Sequence, residues 1–218
     1  MRFSFLKRLQ VPRVSLAACM LISAALAHAD LLSDNASNST DGTETASGDR
    51  WLTASFGTGG SPYKLQSVTL LLANTSGGVA EVDLYTDGGL QPESLLETLR
   101  PPSSTAADLT PTTFISDNAT LSPNSTYWIV LKADSGELDW AWTADDSGTG
   151  EGFQDTWGLS DDAGASWYTY DVYPTQFSVN ADVSGAPEPS TKGLLAAAGF
   201  LTAGILLLRR YRNQDGRG

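Results

Sequence analysis

Between Trp51 and Val183 the apolar residues come in short bursts rich in β-branched and aromatic side chains, and Gly, Pro, Asn or Asp breaks every burst. Such bursts are too short for packed helices and suit strands that must find partners. The pattern predicts strands at Trp51–Phe56, Tyr63–Ala73, Val79–Tyr85, Thr112–Ser116, Thr126–Ala133, Leu138–Thr143, Ser166–Tyr170 and Thr175–Val183. Within Tyr63–Ala73 apolar residues fall on both parities, which predicts a strand covered on both faces. Only Glu93–Leu99 hints at a helix, of barely two turns. The resulting expectation is all-β: one antiparallel β-sandwich of jelly-roll type over residues 50–183. The preceding segment, Ser33 to Asp49, holds no residue larger and more apolar than alanine, so residues 30–49 read as a flexible polar leader.

Two apolar runs lie outside this region. Near the N-terminus, Arg2, Lys7, Arg8 and Arg13 precede the run Val14–Leu26 and then Ala27-His28-Ala29. A basic region, an apolar core and a small-x-small site make residues 1–29 a signal peptide, cut after Ala29 by signal peptidase. The rival reading is a lipid-bearing Cys19 after Leu16-Ala17-Ala18, but Arg13 leaves only a stub of apolar chain before that cysteine. Near the C-terminus, residues 193–208 are uncharged and apolar. As a helix they would span roughly 24 Å, slightly short of the ~30 Å hydrocarbon core yet close enough for a single transmembrane pass. Arg209, Arg210 and Arg212 follow and would hold that end in the cytoplasm. The competing interpretation of the run is a buried core helix.

Pro187-Glu188-Pro189, the apolar run and the arginine cluster, in that order, resemble the PEP-CTERM sorting signal of exopolysaccharide-producing Gram-negative bacteria. The resemblance covers residues 187–212 within a C-terminal segment, 184–218. It implies recognition and cleavage near Pro187-Glu188-Pro189 by exosortase, after a transient stay in the inner membrane. The two prolines suit such cleavage, since they hold an extended segment that a protease can grip. A second resemblance covers roughly residues 50–183. "WLTASFGTGGSPYKLQSVTLLLAN", "VDLYTDGGLQPESLLETL", "LSPNSTYWIVLKADSGELDWAWT" and "SWYTYDVYPTQFSVNA" look like the choice-of-anchor R domain, an exported bacterial domain whose members carry different C-terminal anchors. That family implies location and fold rather than a chemistry.

Composition removes several functions. Residues 30–186 carry 23 acidic residues and four basic ones (Arg50, Lys64, Arg100 and Lys132), a net charge of −19. Such a surface repels nucleic-acid phosphates and anionic lipid headgroups, and suits solubility or a hydrated polysaccharide matrix. Cys19 and His28, the chain's one cysteine and one histidine, both fall in the signal peptide. Disulfides, thiol catalysis, Ser-His-Asp triads and His/Cys zinc sites are therefore excluded from the exported part.

Three groups of residues remain as candidates. Ser160, Asp162, Gly164, Ser166 and Trp167 fit the Asp-box pattern S-x-D-x-G-x-[S/T]-W, a hairpin motif whose residues are all explained by turn chemistry. Asp145, Asp146, Glu151, Asp155, Asp161 and Asp162 crowd loops near the end of the domain and offer hard oxygen ligands to calcium, with solvated loops as the plainer reading. Trp140 and Trp142 share a strand face, either as core residues or as a platform for sugars. Together these features predict an exported, exosortase-processed surface or matrix protein without catalysis and without a cofactor. A carbohydrate-binding module, calcium-dependent or not and with exopolysaccharide as partner, is the second reading, and an Asp/Glu glycosidase the third. Replacing Ala29 by a bulky residue should block maturation, because the peptidase accepts only small side chains there. Mass spectrometry should find the unmodified protein beginning at Asp30, and a lipid on Cys19 would contradict this.

Overall fold

The structure, a computed structural model, describes residues 30–184. The expected signal peptide with Ala27 and Ala29, the Pro187-Glu188-Pro189 motif, the run 193–208 and Arg209, Arg210 and Arg212 lie outside the described residues. Among the described residues no helix is long and apolar enough to cross a membrane.

The chain from Asp30 onward is all-β. Its strands are β1 (Asp30–Asp34), β2 (Gly42–Ala46), β3 (Trp51–Gly57), β4 (Tyr63–Ala73), β5 (Ala80–Asp87), β6 (Pro92–Leu99) and β7 (Thr110–Ile115). They continue as β8 (Thr120–Leu121), β9 (Thr126–Ala133), β10 (Leu138–Trp142), β11 (Phe153–Ser160), β12 (Tyr168–Tyr170) and β13 (Phe177–Val183). All pairings between them are antiparallel. The second sheet runs β12-β11-β3-β9-β5-β6. The first is built around β4 and is branched. Leu70 pairs with both Thr112 and Phe177, and Leu72 with both Thr110 and Trp140, so β13 and β10 occupy successive stretches of one edge while β7 and β8 take the other. β1 extends β13, and β2 extends β10.

The two sheets share one core. Val68, Leu70, Leu72, Phe114, Trp140 and Phe177 of the first meet Leu52, Phe56, Leu84, Ile129 and Leu131 of the second, all essentially inaccessible to water. Two antiparallel sheets burying their facing sides against each other make the sandwich architecture. β4 differs from the expected two-faced burial. Ser67 pairs with Asn180 but Leu65 with Ala181, so Gln66 is an extra residue. This bulge flips the parity and turns both Leu65 and Val68 to the core, leaving Ser67, Thr69 and Leu71 half-exposed on the outer face.

Two expectations fail. Glu93–Leu99 is a strand, because two turns of isolated helix are marginal while β5 offers an unpaired edge. Glu97 also anchors this strand: its carboxylate accepts hydrogen bonds from the Ser116 hydroxyl at 2.7 Å and from the backbone N–H of Asp117 and Ala119 at 2.6 and 2.9 Å. Burial pushes its carboxyl up, but these bonds outweigh it and hold it below the usual value. Nor is 30–49 a flexible leader; it supplies β1 and β2. Asn35, 1 % exposed, donates to the Thr175 carbonyl at 3.0 Å and accepts from the Phe177 N–H at 2.9 Å. Gly42 lies beneath the Trp142 ring, where any Cβ would collide. The small polar composition that reads as disorder is here what lets the segment pack under an indole.

The outward face of the second sheet carries a charge cluster. Asp83, 1 % exposed, is paired with Lys132, which also bonds Glu81 at 2.9 Å and sits 4.5 Å from the centre of the Trp51 ring. Burial depresses the Lys132 ammonium, and the carboxylates of Asp83 and Glu81 more than reverse this, raising it well above the usual lysine value. Lys132→Met would strand a buried carboxylate and should cost about 3–5 kcal/mol in urea unfolding. Adding Asp83→Asn to that variant should recover much of the loss; failure to recover would show that Lys132 acts through packing alone.

Candidate functional site

The turn between β11 and β12 uses its polar residues on itself. Ser160 Oγ donates to Asp162 Oδ1 at 2.7 Å and accepts from the Gly164 N–H at 2.8 Å. Asp162 in turn accepts from the Ser166 N–H at 2.8 Å and from the Ser166 hydroxyl at 2.6 Å. Gly164 has φ 83°, and a side chain there would strike the Trp51 ring. Ser166, then Ser160, hold the Asp162 carboxyl below its ordinary value. Trp167 is half-buried beside Gly164. Every side-chain oxygen of the motif therefore has a local partner.

The six acidic residues expected in loops are dispersed rather than gathered, and Asp155 lies within β11 instead of a loop. Asp145 accepts from the Ser147 N–H, Asp146 from the Tyr173 N–H at 3.0 Å, and Asp161 pairs with Arg50 at 3.0 Å. Glu151 accepts from the Tyr63 hydroxyl; this bond, then burial, pushes the phenol up to about 12. Asp162 is committed to its hairpin. Among the described residues no three Asp, Glu, His or Cys side chains are grouped so as to hold a metal ion. Trp140 is wholly buried and donates to the Gln176 carbonyl at 2.9 Å. Trp142 is half-buried, its ring centre 5.7 Å from that of Tyr173. Exposed aromatic surface lies instead at Tyr168, Tyr170 and Tyr173, on and just beyond the edge strand β12.

Two of the acids meet somewhere the sequence does not predict. Asp146 and Asp155 line a cleft of about 490 Å3 together with Asp87, from the end of β5. Its base is the outward face of the second sheet: Ser55 and Trp128 alternate with the core residues Ala54, Phe56, Tyr127 and Ile129. The β5–β6 turn stands on one side, with Asp87 and Leu90, and β11 on the other, with Gln154 and Asp155. Trp128 is buried although it faces away from the core, and its indole N–H donates to Asp87 Oδ1 at 2.8 Å. The same oxygen accepts from the Leu90 N–H at 3.0 Å. One carboxylate thus fixes both a base residue and the turn beside it. β11 went unpredicted because Gln, Asp and Gly interrupt its apolar residues and because its pairing to β3 is irregular between Phe153 and Trp157. The cleft was hidden with it.

No family model matches this chain, and no curated protein matches it.

Asp162→Asn should lower the melting temperature at pH 7 by removing charge from a carboxylate that accepts several hydrogen bonds. Because the folded group titrates below its unfolded value, its contribution is complete above about pH 3.9 and fades as the pH falls through the folded value. The gap between wild type and variant should therefore close in acid; a gap constant with pH would show that the charge is immaterial.

Proposed function

We propose that the chain is an exported, exosortase-processed component of the cell surface or extracellular matrix, acting without catalysis. The observation that carries this reading is the ordered C-terminal set: Pro187-Glu188-Pro189, an apolar run over 193–208, and Arg209, Arg210 and Arg212. Support comes from its fit with the N-terminal pattern ending at Ala29 and with a cysteine-free, strongly acidic stretch between the two. An all-β domain of strongly acidic composition suits residence in a hydrated polysaccharide. The jelly-roll connectivity, the choice-of-anchor R likeness and passage through the inner membrane by way of signal peptidase and exosortase belong to the same proposal.

A second reading, a carbohydrate-binding module, is favoured by one observation: the cleft on the outward face of the second sheet mixes carboxylates, hydroxyls, an amide and an indole. A calcium-dependent version would have to draw together carboxylates that here serve separate hydrogen bonds. Glu188→Ala tests the first reading. In a strain with intact exosortase the variant should stay in the inner membrane with its arginine cluster attached, whereas normal release would sink the sorting proposal.

A further inference from the structure

We propose that the second sheet binds a polysaccharide chain free of acidic groups, in a groove that runs from its outward face over its end past Asp87 and Thr126; this rests on the carbohydrate-binding reading above. The cleft does not end at Asp87. A second hollow of about 360 Å3 lies at the end of the sheet, where Thr86 and Tyr127 pair on its inward side; Ser122 and Ser125 also line it, and Asp87 and Thr126 border both hollows. Each lies within the ~300–1,000 Å3 of ordinary ligand sites, and two that share a border make a track for a linear ligand rather than a pocket for a single small one.

The lining selects the ligand class. Hydroxyls of Thr126, Ser122 and Ser125, the Gln154 amide and the Asp87, Asp146 and Asp155 carboxylates offer both donors and acceptors along the groove. Sugar hydroxyls need that mixture, since each can give and receive a hydrogen bond. Asp87 and Asp146 each use Oδ1 for internal bonds, to Trp128 and Leu90 and to Tyr173 respectively. Those bonds lock each carboxylate in orientation, and Oδ2 of each receives no hydrogen bond from the described residues. Acceptors fixed before binding cost little entropy when a ligand arrives. The three carboxylates do not form a grouping that could hold a cation. A repeating acidic polymer would meet three carboxylates on a domain already strongly negative, which excludes uronates and sulfated chains.

Leu90 supplies the apolar part. It sits in the turn beside the cleft at φ 69°, a conformation that branched apolar residues rarely adopt, and is 70 % exposed. No gain in core packing accounts for a leucine held there. Facing the cleft, it offers a hydrophobic surface to the C–H face of a sugar ring, opposite Phe153.

The full chain in mild detergent can be run through native gels containing hydroxyethylcellulose, glycol chitosan or alginate. Retardation is expected in the neutral or the amine-bearing gel and not in alginate. Gln154→Ala with Asp155→Ala, both on the β11 side of the groove, should weaken that binding about tenfold or more, while the melting temperature falls only by the loss of the Gln154–Thr126 hydrogen bond at 3.2 Å. Retardation that ignores the double variant would overturn the groove and leave the carbohydrate-binding reading standing elsewhere on the surface. Absence of retardation in every gel would overturn both, and so would retardation only in alginate. Release of reducing ends from the retarding polymer would overturn a binding role in favour of cleavage. None of these outcomes bears on export, which the Glu188→Ala variant reads separately.

Discussion

Residues 30–184 contain no cysteine, so no disulfide ties the two sheets together. Their cohesion comes from burying one apolar core between them, at roughly 25 cal/mol for each Å2 of apolar surface removed from water. Everything else follows from that facing. β4 and β9 lie at the middle of their sheets and supply the core with Leu65, Val68, Leu70, Leu72, Tyr127, Ile129 and Leu131. The inward faces being spent on cohesion, all polar chemistry is displaced to outward faces, edges and turns. The charge cluster around Lys132 and the cleft beside Asp87 both lie on the outward face of the second sheet, and the Asp162 hairpin leads to its edge.

The same facing explains which parts of the fold are legible in the sequence. Tyr63–Ala73 and Thr126–Ala133 can be delimited to the residue because Leu, Val and Ile there are dense and the flanks are Pro, Asn and Asp. Legibility ends where a strand is held by something other than apolar burial. β1 and β2 each give the core a single apolar side chain, Leu32 and Ala46, and are otherwise docked by their ladders, by Asn35, Thr40 and Gln176 hydrogen bonds and by the fit of Gly42 beneath Trp142. β6 leaves Leu95 and Leu96 about half exposed, so its apolar residues carry no periodic signal. No pattern of hydrophobicity reports such contacts, since they depend on partners more than 90 residues away in the chain.

Candidate sites show the same division. The hairpin from Ser160 to Trp167 is local, and spacing alone foretells its turn. The groove is not local: it joins the end of β5, the middle of β9 and the start of β11. Of its carboxylates, the sequence singles out Asp146 and Asp155 for their crowding but offers no reason to add Asp87, some 60 residues earlier. Trp128 likewise looks like a core residue by composition and is buried, yet it faces away from the core and underlies the groove. Asp87 and Trp128, 41 residues apart in the chain, come together only because β5 and β9 pair.

In the proposed function this chain acts outside the inner membrane after losing both ends. Intact mass of the protein recovered from the extracellular matrix tests it most directly. The account predicts one species that begins at Asp30 and terminates near Pro187-Glu188-Pro189, without Arg209, Arg210 or Arg212. A full-length mass, or recovery of the protein from the cytoplasm alone, would contradict it.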